Sequence, residues 1–170
     1  MSEPGAISDG AHTFRGLPVG VAVSDPRAKG RPGIEILRDM IAGALPAPPI
    51  SRSLNFWISE VSPGRAVFEG EPGLESLNPM GGVHGGWSLT LIDSATGCAA
   101  MSTLEAGVGW ATLETKGNMV RAIKAGSGRY RCEAKVLAQG RSIITTDAQI
   151  TGPDGKLYAH GTSTLMVLRP

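Results

Sequence analysis

The fold is decided by one stretch of the chain, residues 78–104, which runs Asn78-Pro-Met-Gly-Gly-Val-His84-Gly85-Gly86-Trp87-Ser-Leu-Thr-Leu-Ile-Asp93-Ser-Ala-Thr-Gly-Cys-Ala-Ala-Met-Ser-Thr-Leu104. Residues 84–103 are apolar on nearly every side of the helical period. They predict one long helix that is buried on most sides, because a helix without a polar face has to be covered. Asp93 and several Ser, Thr and Gly residues interrupt the stretch, which disfavours a membrane span and favours a core helix.

The segments on either side of this helix alternate between apolar and polar residues, as strands do. Leu54–Val61 and Arg65–Glu71 flank a tight turn and predict a hairpin before the helix. Four further strands are predicted after it, at residues 113–123, 128–138, 141–151 and 156–168. Short turns between long strands indicate antiparallel pairing. The sequence therefore predicts an α+β fold in which an antiparallel sheet wraps around one long central helix.

The N-terminal quarter of the chain has a different composition. Residues 1–33 are rich in Gly, Pro, Ser and Asp, and we expect them to form a poorly ordered arm. The apolar spacing from Gly33 to Ala44 predicts an extra amphipathic helix, which a proline-rich linker ends. Residues 34–47 are thus a helix and linker, and residues 48–170 form the main domain.

Composition excludes several classes of function. The chain has 170 residues, enough for one domain, and its 16 basic and 15 acidic residues give a net charge of +1. This balance argues against a nucleic-acid-binding protein, which normally carries a basic excess. Two cysteines do not make a disulfide framework, and metal-ligand spacing is absent. No signal peptide is evident in the first 20 residues, so we expect a reduced, cytoplasmic protein.

The start of the predicted helix is suited to binding a carbonyl oxygen. His84, Gly85 and Gly86 lie where a loop enters the helix. The first N–H groups of a helix lack internal partners and carry the positive end of its dipole. Glycine lets a ligand approach these groups closely. Such a site stabilises an oxygen that becomes negative in a transition state.

Asp93 is the only charged side chain from Gly85 to Leu104. A carboxylate among so few polar groups is costly unless it is paired or functional. Two interpretations stay open at this point: Asp93 is a base or nucleophile, or it is a partly exposed residue bonded to a Ser or Thr hydroxyl. Gly85 and Asp93 are roughly 12 Å apart along a helix, so one carbonyl cannot contact both within one chain. If both are catalytic, two subunits share the site.

These residues resemble a known family. The pattern Asn78…Gly82-Val-His84-Gly85-Gly86…Leu91-Ile92-Asp93 is similar to the signature of the hotdog-fold acyl-CoA thioesterases, including the phenylacetate-pathway and 4-hydroxybenzoyl-CoA thioesterase-like members. The resemblance covers about residues 48–168 and implies the hotdog fold. It also implies hydrolysis of an aryl- or medium-chain acyl-CoA, with no cofactor beyond the coenzyme A of the substrate.

The resemblance implies roles for five residues, each at its matching position. Asp93 is the general base or nucleophile, and the Gly85 N–H donates to the thioester carbonyl. Asn78 lies near the attacking water or the carbonyl, and His84 orients the loop. Thr112 matches a Ser or Thr that positions water in some members.

Substrate contacts are expected at further positions. Gly86 and Trp87 lie in the first helical turn, where Trp87 either walls the site or packs in the core. Arg121, and Arg141 with Ser142, are candidates for the phosphates of coenzyme A, because Arg binds phosphate well. The alternative for these arginines is an ordinary solvated strand face.

The family also implies an assembly and an alternative function. The base and the oxyanion donor come from different subunits of a homodimer, and two dimers can associate as a dimer of dimers. Some hotdog proteins only bind acyl-CoA as sensors, and a non-catalytic acyl-CoA-binding protein is therefore the alternative to an enzyme. Dehydratase members, with a differently placed His and acid, fit this sequence poorly. We expect neither nucleic acid nor membrane as a partner.

Overall fold

The computed structural model describes residues 13–169. Three α-helices and eight β-strands make up this part of the chain, together with short 3-10 turns: β1 Thr13–Phe14, β2 Leu17–Pro18, α1 Gly33–Ala42, α2 Pro49–Leu54, β3 Phe56–Ser62, β4 Arg65–Gly70, α3 Gly85–Met101, β5 Gly109–Met119, β6 Tyr130–Gln139, β7 Ile143–Thr151 and β8 Leu157–Leu168.

The main sheet has six antiparallel strands in the order β3-β4-β6-β7-β8-β5. Helix α3 packs against the sheet along its length, and it contacts all six strands. The β3 edge is covered by α1 and α2, whereas β5 forms the opposite edge. The α+β hotdog architecture predicted from the sequence is confirmed.

Helix α3 is buried because its side chains fill the concave face of the sheet. Leu91, Ile92, Ala95 and Ala99 are fully buried, and they pack with residues from β3, β4, β6, β7 and β8 in the main core. The helix spans 17 residues, from Gly85 to Met101, within the predicted range of 84–103. No helix in residues 13–169 is long and apolar enough to span a bilayer.

The N-terminal segment is more ordered than its composition predicts. Residues 13–18 form a small hairpin, and 3-10 turns follow at Ala22–Ser24 and Pro26–Ala28. The ring of Phe14 lies 6.3 Å from that of Trp57, and the Arg15 guanidinium stacks 3.6 Å from the same indole. These contacts pack Phe14 and Arg15 against β3, so residues 13–33 include packed structure that the expectation of a poorly ordered arm leaves out. Residues 1–12 lie outside the described chain.

The structure differs from the sequence prediction in the position of strand β5 and in the presence of helix α2. Strand β5 begins at Gly109 and ends at Met119, about four residues earlier than the predicted 113–123. Beyond it, the N–H groups of Val120 and Arg121 both donate to the carbonyl of Tyr158, which turns the chain out of the ladder. Helix α2 was not predicted, because its six residues are too few to show a helical period.

Two paired glycines let α3 approach the sheet beside Asp93. Gly117 on β5 pairs with Gly161 on β8, and Ile92 lies over both. A Cβ at Gly161 would overlap the carbonyl oxygen of Lys116, so the backbone would have to move.

We therefore expect Gly161→Ala to lower the free energy of unfolding by about 1–3 kcal/mol, as overpacking of a core does. The matched control is Gly109→Ala, whose added Cβ would lie 3.7 Å from the Leu168 Cβ, an ordinary contact. Urea denaturation of both variants measures the difference. Equal unfolding free energies for the two variants would contradict the expectation.

Candidate active site

The first turn of α3 presents one unpaired N–H group. His84 is the N-cap residue, and its Nδ1 accepts a hydrogen bond from the Gly86 N–H at 2.8 Å. Within residues 13–169 the Gly85 N–H has no acceptor. Since His84 uses the second N–H of the helix, the first is left to bind an external oxygen at the positive end of the dipole.

The loop before α3 is held by Asn78. Its Oδ1 accepts from the N–H groups of Met80 at 2.9 Å and Gly82 at 3.2 Å. The Asn78 carbonyl also accepts from Gly81 N–H at 2.9 Å. The Oδ1 of Asn78 therefore stabilises the loop, and within residues 13–169 only its Nδ2 group is left to donate to a water or a carbonyl.

Asp93 lies on the side of α3 that faces β5. It is half-buried, and its Oδ1 accepts a hydrogen bond from the Thr115 hydroxyl at 2.9 Å. The other oxygen, Oδ2, has no partner among the residues that the structure describes. The carboxylate is thus fixed through one oxygen and open at the other. Thr115 is a site residue that the sequence analysis missed.

Thr112 and Thr115 share a face of β5. Thr112 pairs with the buried Leu165 and so points towards α3, but within residues 13–169 it makes no hydrogen bond to Asp93. A bulge between Thr112 and Glu114 adds one residue to the strand, and this places Thr115 on the inner face. The carboxylate contact within one chain therefore belongs to Thr115, and the role of Thr112 stays a prediction.

A cavity of about 300 Å³ opens beside Gly85. Its walls are Val83, Gly85, Ser88 and residues 119–123, which include Arg121. The Arg121 Nη1 donates to the carbonyl of Leu157 at 2.6 Å, which holds the guanidinium at the rim. The structure therefore places Arg121 beside Gly85, and its contact with the phosphates of coenzyme A stays a prediction.

Arg141 and Ser142 lie elsewhere in the chain. They are exposed and precede β7, near the Gly109 end of β5, whereas the Gly85 cavity lies at the Met119 end. The two ends of a strand of this length are roughly 33 Å apart at about 3.3 Å per residue. Within one chain the structure does not bring Arg141 and Ser142 to the cavity.

Two expected substrate contacts are corrected. Trp87 is only 3% exposed, and its Nε1 donates to the carbonyl of Leu54 at 2.8 Å. It packs edge-on against Tyr130, so it is a core residue and not a wall of the site. The reason is helical geometry, which turns Trp87 towards the sheet when Gly85 faces the cavity. Gly86 uses its N–H for the His84 cap and has none left for substrate.

The two cysteines offer no nucleophile for the site. Burial raises the pKa of the Cys98 thiol to about 12, and burial also raises the pKa of Cys132. Both stay protonated thiols at neutral pH and are poor nucleophiles. Residues 13–169 hold no group of three His, Cys, Asp or Glu side chains that could bind a metal ion.

Comparison with known proteins places this site in context. The family model of the thioesterase superfamily matches residues 80–159. A Saccharolobus solfataricus protein named as a candidate esterase is 32% identical over 124 residues, which cover 72% of this chain and 86% of that protein. Human acyl-coenzyme A thioesterase 13 is 28% identical over 130 residues, or 75% of this chain and 91% of the human protein.

A solved structure agrees with these matches. The crystal structure of a Ralstonia eutropha protein, described as a candidate thioesterase related to phenylacetic acid degradation, superposes with a TM-score of 0.70 and is 29% identical. The match covers 76% of this chain and 98% of that one. Gly85, Asp93 and Thr115 all lie inside the region that the family model matches, and Asn78 lies just before it.

Proposed function

The chain belongs to the thioesterase superfamily and is a thioester hydrolase, and from this premise we propose that it hydrolyses aryl- or medium-chain acyl-CoA thioesters to coenzyme A and a free acid. One observation carries the proposal. The first N–H of α3 is unpaired at Gly85, and the same helix holds a carboxylate at Asp93 with one oxygen fixed and one open. An oxyanion donor and a base or nucleophile are what thioester hydrolysis requires.

In the proposed reaction the Gly85 N–H donates to the thioester carbonyl oxygen. Asp93 then acts through Oδ2, either by taking a proton from water or by attacking the carbonyl carbon. The first route adds hydroxide to the carbon and breaks the C–S bond as the thiolate of coenzyme A leaves and is protonated. The second route joins Oδ2 to the carbonyl carbon and breaks the C–S bond, so that the thiolate of coenzyme A leaves and is protonated. Water then opens the resulting anhydride to the free acid and regenerates the Asp93 carboxylate. Asn78 and Thr112 orient the water, and His84 keeps the Gly85 loop in place.

We propose that two subunits build each site. Gly85 and Asp93 are eight positions apart on α3 and roughly 12 Å apart along it, too far to act on one carbonyl. The exposed edge of the sheet is β5, which carries Thr115 and the exposed side chains of Leu113 and Met119. Pairing two β5 edges about a two-fold axis protects both and places one subunit's Asp93 near its partner's Gly85. Two such homodimers would form the dimer of dimers.

Coenzyme A would bind across this interface. Arg121, at the rim of the Gly85 cavity, is the proposed contact of one subunit with phosphate. Arg141 and Ser142 reach the same ligand only from the other subunit. The reaction uses no cofactor apart from the coenzyme A of the substrate, and we expect it to take place in the cytoplasm.

The names of the relatives support the substrate class. One relative is named for acyl-coenzyme A and one solved structure for phenylacetic acid degradation. A non-catalytic acyl-CoA-binding protein is the second candidate, because the same cavity would hold a ligand without turnover. The open Oδ2 of Asp93 favours the enzyme, since a binding protein has no need of it.

Thiol release from phenylacetyl-CoA, benzoyl-CoA and hexanoyl-CoA tests the proposal. We expect turnover of at least one thioester, with a preference that defines the acyl pocket. The experiment includes calorimetric binding of the same ligands. Saturable binding without release of coenzyme A from any of them would favour the binding protein, and neither binding nor release would exclude this substrate class.

A further inference from the structure

A row of three hydroxyl groups leads from the protein interior to the carboxylate of Asp93. The Thr115 Oγ1 donates to Asp93 Oδ1 at 2.9 Å, and the Ser163 Oγ lies 3.0 Å from the Thr115 Oγ1. The Thr96 Oγ1 lies 2.8 Å from the Ser163 Oγ. Thr96 is fully buried and Ser163 is 2% exposed. The row is therefore enclosed between α3, β5 and β8.

The direction of the two hydrogen bonds nearest Asp93 follows from proton counting. A hydroxyl has one proton to donate, and an ionised carboxylate can only accept. Because Thr115 gives its proton to Asp93, Ser163 donates to Thr115 in the bond of 3.0 Å. Thr96 has three acceptors within reach, namely the Ser163 Oγ and the carbonyl oxygens of Ile92 and Asp93. Thr115 and Ser163 therefore both point their protons towards the carboxylate.

We propose that Ser163 and Thr96 are positioning residues for Asp93, acting through Thr115. They keep the Thr115 proton directed at Oδ1, which fixes the carboxylate plane and leaves Oδ2 open to water or substrate. This inference rests on the proposed function, because it assigns Asp93 to the reaction. Neither Ser163 nor Thr96 would touch the substrate, since both are buried.

The row keeps its direction when Asp93 takes up a proton. In the proposed reaction the proton goes to Oδ2, so Oδ1 remains an acceptor and Thr115 still donates to it. Thr96 anchors the far end of the row to the backbone, since its Oγ1 also lies 2.9 Å from the carbonyl oxygen of Ile92 and 3.1 Å from that of Asp93. The same arrangement of hydroxyls therefore serves both protonation states of Asp93.

Few titratable groups other than the hydroxyl row lie close to the Asp93 carboxylate. On α3, Cys98 is the titratable neighbour of Asp93, and burial raises its pKa to about 12, so it stays neutral at the pH values of interest. On β5, Glu114 and Lys116 flank Thr115, and strand alternation turns both to the opposite face. Among residues 13–169 the hydroxyl row therefore supplies the side-chain hydrogen bond that the Asp93 carboxylate accepts.

The pH profile of kcat/KM tests the inference. Thr115→Val removes the donor to the ionised carboxylate, so the acid limb is expected to move to higher pH by about one unit. Ser163→Ala is expected to move it in the same direction by less, because Thr115 keeps its hydroxyl but loses its orienting donor. Thr115→Ser, which retains the hydroxyl, is expected to restore the wild-type limb. KM is expected to change less than kcat.

The matched control is Thr146→Val. Thr146 is fully buried and its hydroxyl donates to the backbone carbonyl of Ser163 at 3.2 Å, outside the row. Its loss is expected to reduce stability and leave the acid limb in place. An unchanged limb in both Thr115→Val and Ser163→Ala, or an equal shift in Thr146→Val, would overturn the inference.

A second readout does not depend on turnover. The carboxyl ¹³C resonance of Asp93 can be assigned by its absence in Asp93→Asn and titrated in each variant. The titration midpoint is expected to move to higher pH in Thr115→Val and Ser163→Ala. If wild type hydrolyses no thioester, the proposed function fails, while the NMR titration still decides whether the row acts on Asp93. If wild type is active and the midpoint does not move, only the row is refuted.

Discussion

Replacing Asp93 by Asn is expected to lower kcat by about 10²–10⁴-fold, the range that a general base contributes, and by more if Asp93 is the nucleophile. The amide can still accept a hydrogen bond from Thr115 through its oxygen, so the contact at 2.9 Å and the fold are preserved. The loss should therefore appear in kcat, with little change in KM or in the melting temperature. Thiol release from the best acyl-CoA substrate measures it.

A matched control separates the loss of this carboxylate from the loss of a charge. Asp147 lies on β7 between the buried Thr146 and Ala148, so its side chain points to the opposite face of the sheet. Asp147→Asn should keep wild-type kcat. Substantial turnover in Asp93→Asn would remove Asp93 from the mechanism and return it to the structural interpretation, in which it merely bonds a threonine.

The sequence is sufficient to predict α3 because this helix has an unusual composition. Its apolar run and the glycines at its start appear in no other part of the chain, and the capping residue His84 marks the first turn. The pairing of the following strands also follows from short turns between them. Both features are local in the sequence. An element predicted from local sequence forms in the folded protein when tertiary packing favours the same element.

The partners of Asp93 are not predictable in the same way. Thr115 reaches the carboxylate because a bulge before Glu114 changes which residues of β5 face α3. A bulge leaves no clear pattern in a single sequence, and the family resemblance pointed to Thr112 instead. Thr96 did leave a signal, as a polar residue one turn after Asp93 in an apolar helix. Ser163, about 70 residues from Asp93 in sequence, becomes its neighbour only through the sheet.

The orientation of Trp87 and the packing of the N-terminal segment also depend on tertiary contacts that the local sequence does not reveal. A tryptophan next to the oxyanion glycines favours a pocket wall by position, but its orientation depends on the packing of α3 against the sheet. Residues 13–33 have the composition of a flexible arm, yet Phe14 and Arg15 pack against the indole of Trp57. Tertiary contacts of this kind override composition.

Replacing Gly85 by Pro is expected to lower kcat by about 10²–10³-fold, the cost of removing one oxyanion donor. Proline deletes the N–H group and is favoured at the first position of a helix, where that group has no internal partner. His84 already has φ −62° and ψ 135°, the extended backbone that a residue before proline adopts. The bond from Gly86 N–H to His84 Nδ1 does not involve Gly85 and should persist.

Gly85→Ala is the matched control, because it adds a Cβ and keeps the N–H. That Cβ would lie 3.4 Å from the Met119 Cε, the flexible end of a side chain that can move aside. We expect Gly85→Ala to retain most of the wild-type kcat and both variants to bind coenzyme A equally in calorimetry. Equal losses of kcat in the two variants would mean that crowding of the cavity, and not the missing donor, is responsible. Only a loss confined to the proline variant, with coenzyme A binding intact, assigns the oxyanion contact to the Gly85 N–H, because both variants add a Cβ and only proline replaces the N–H hydrogen with its ring.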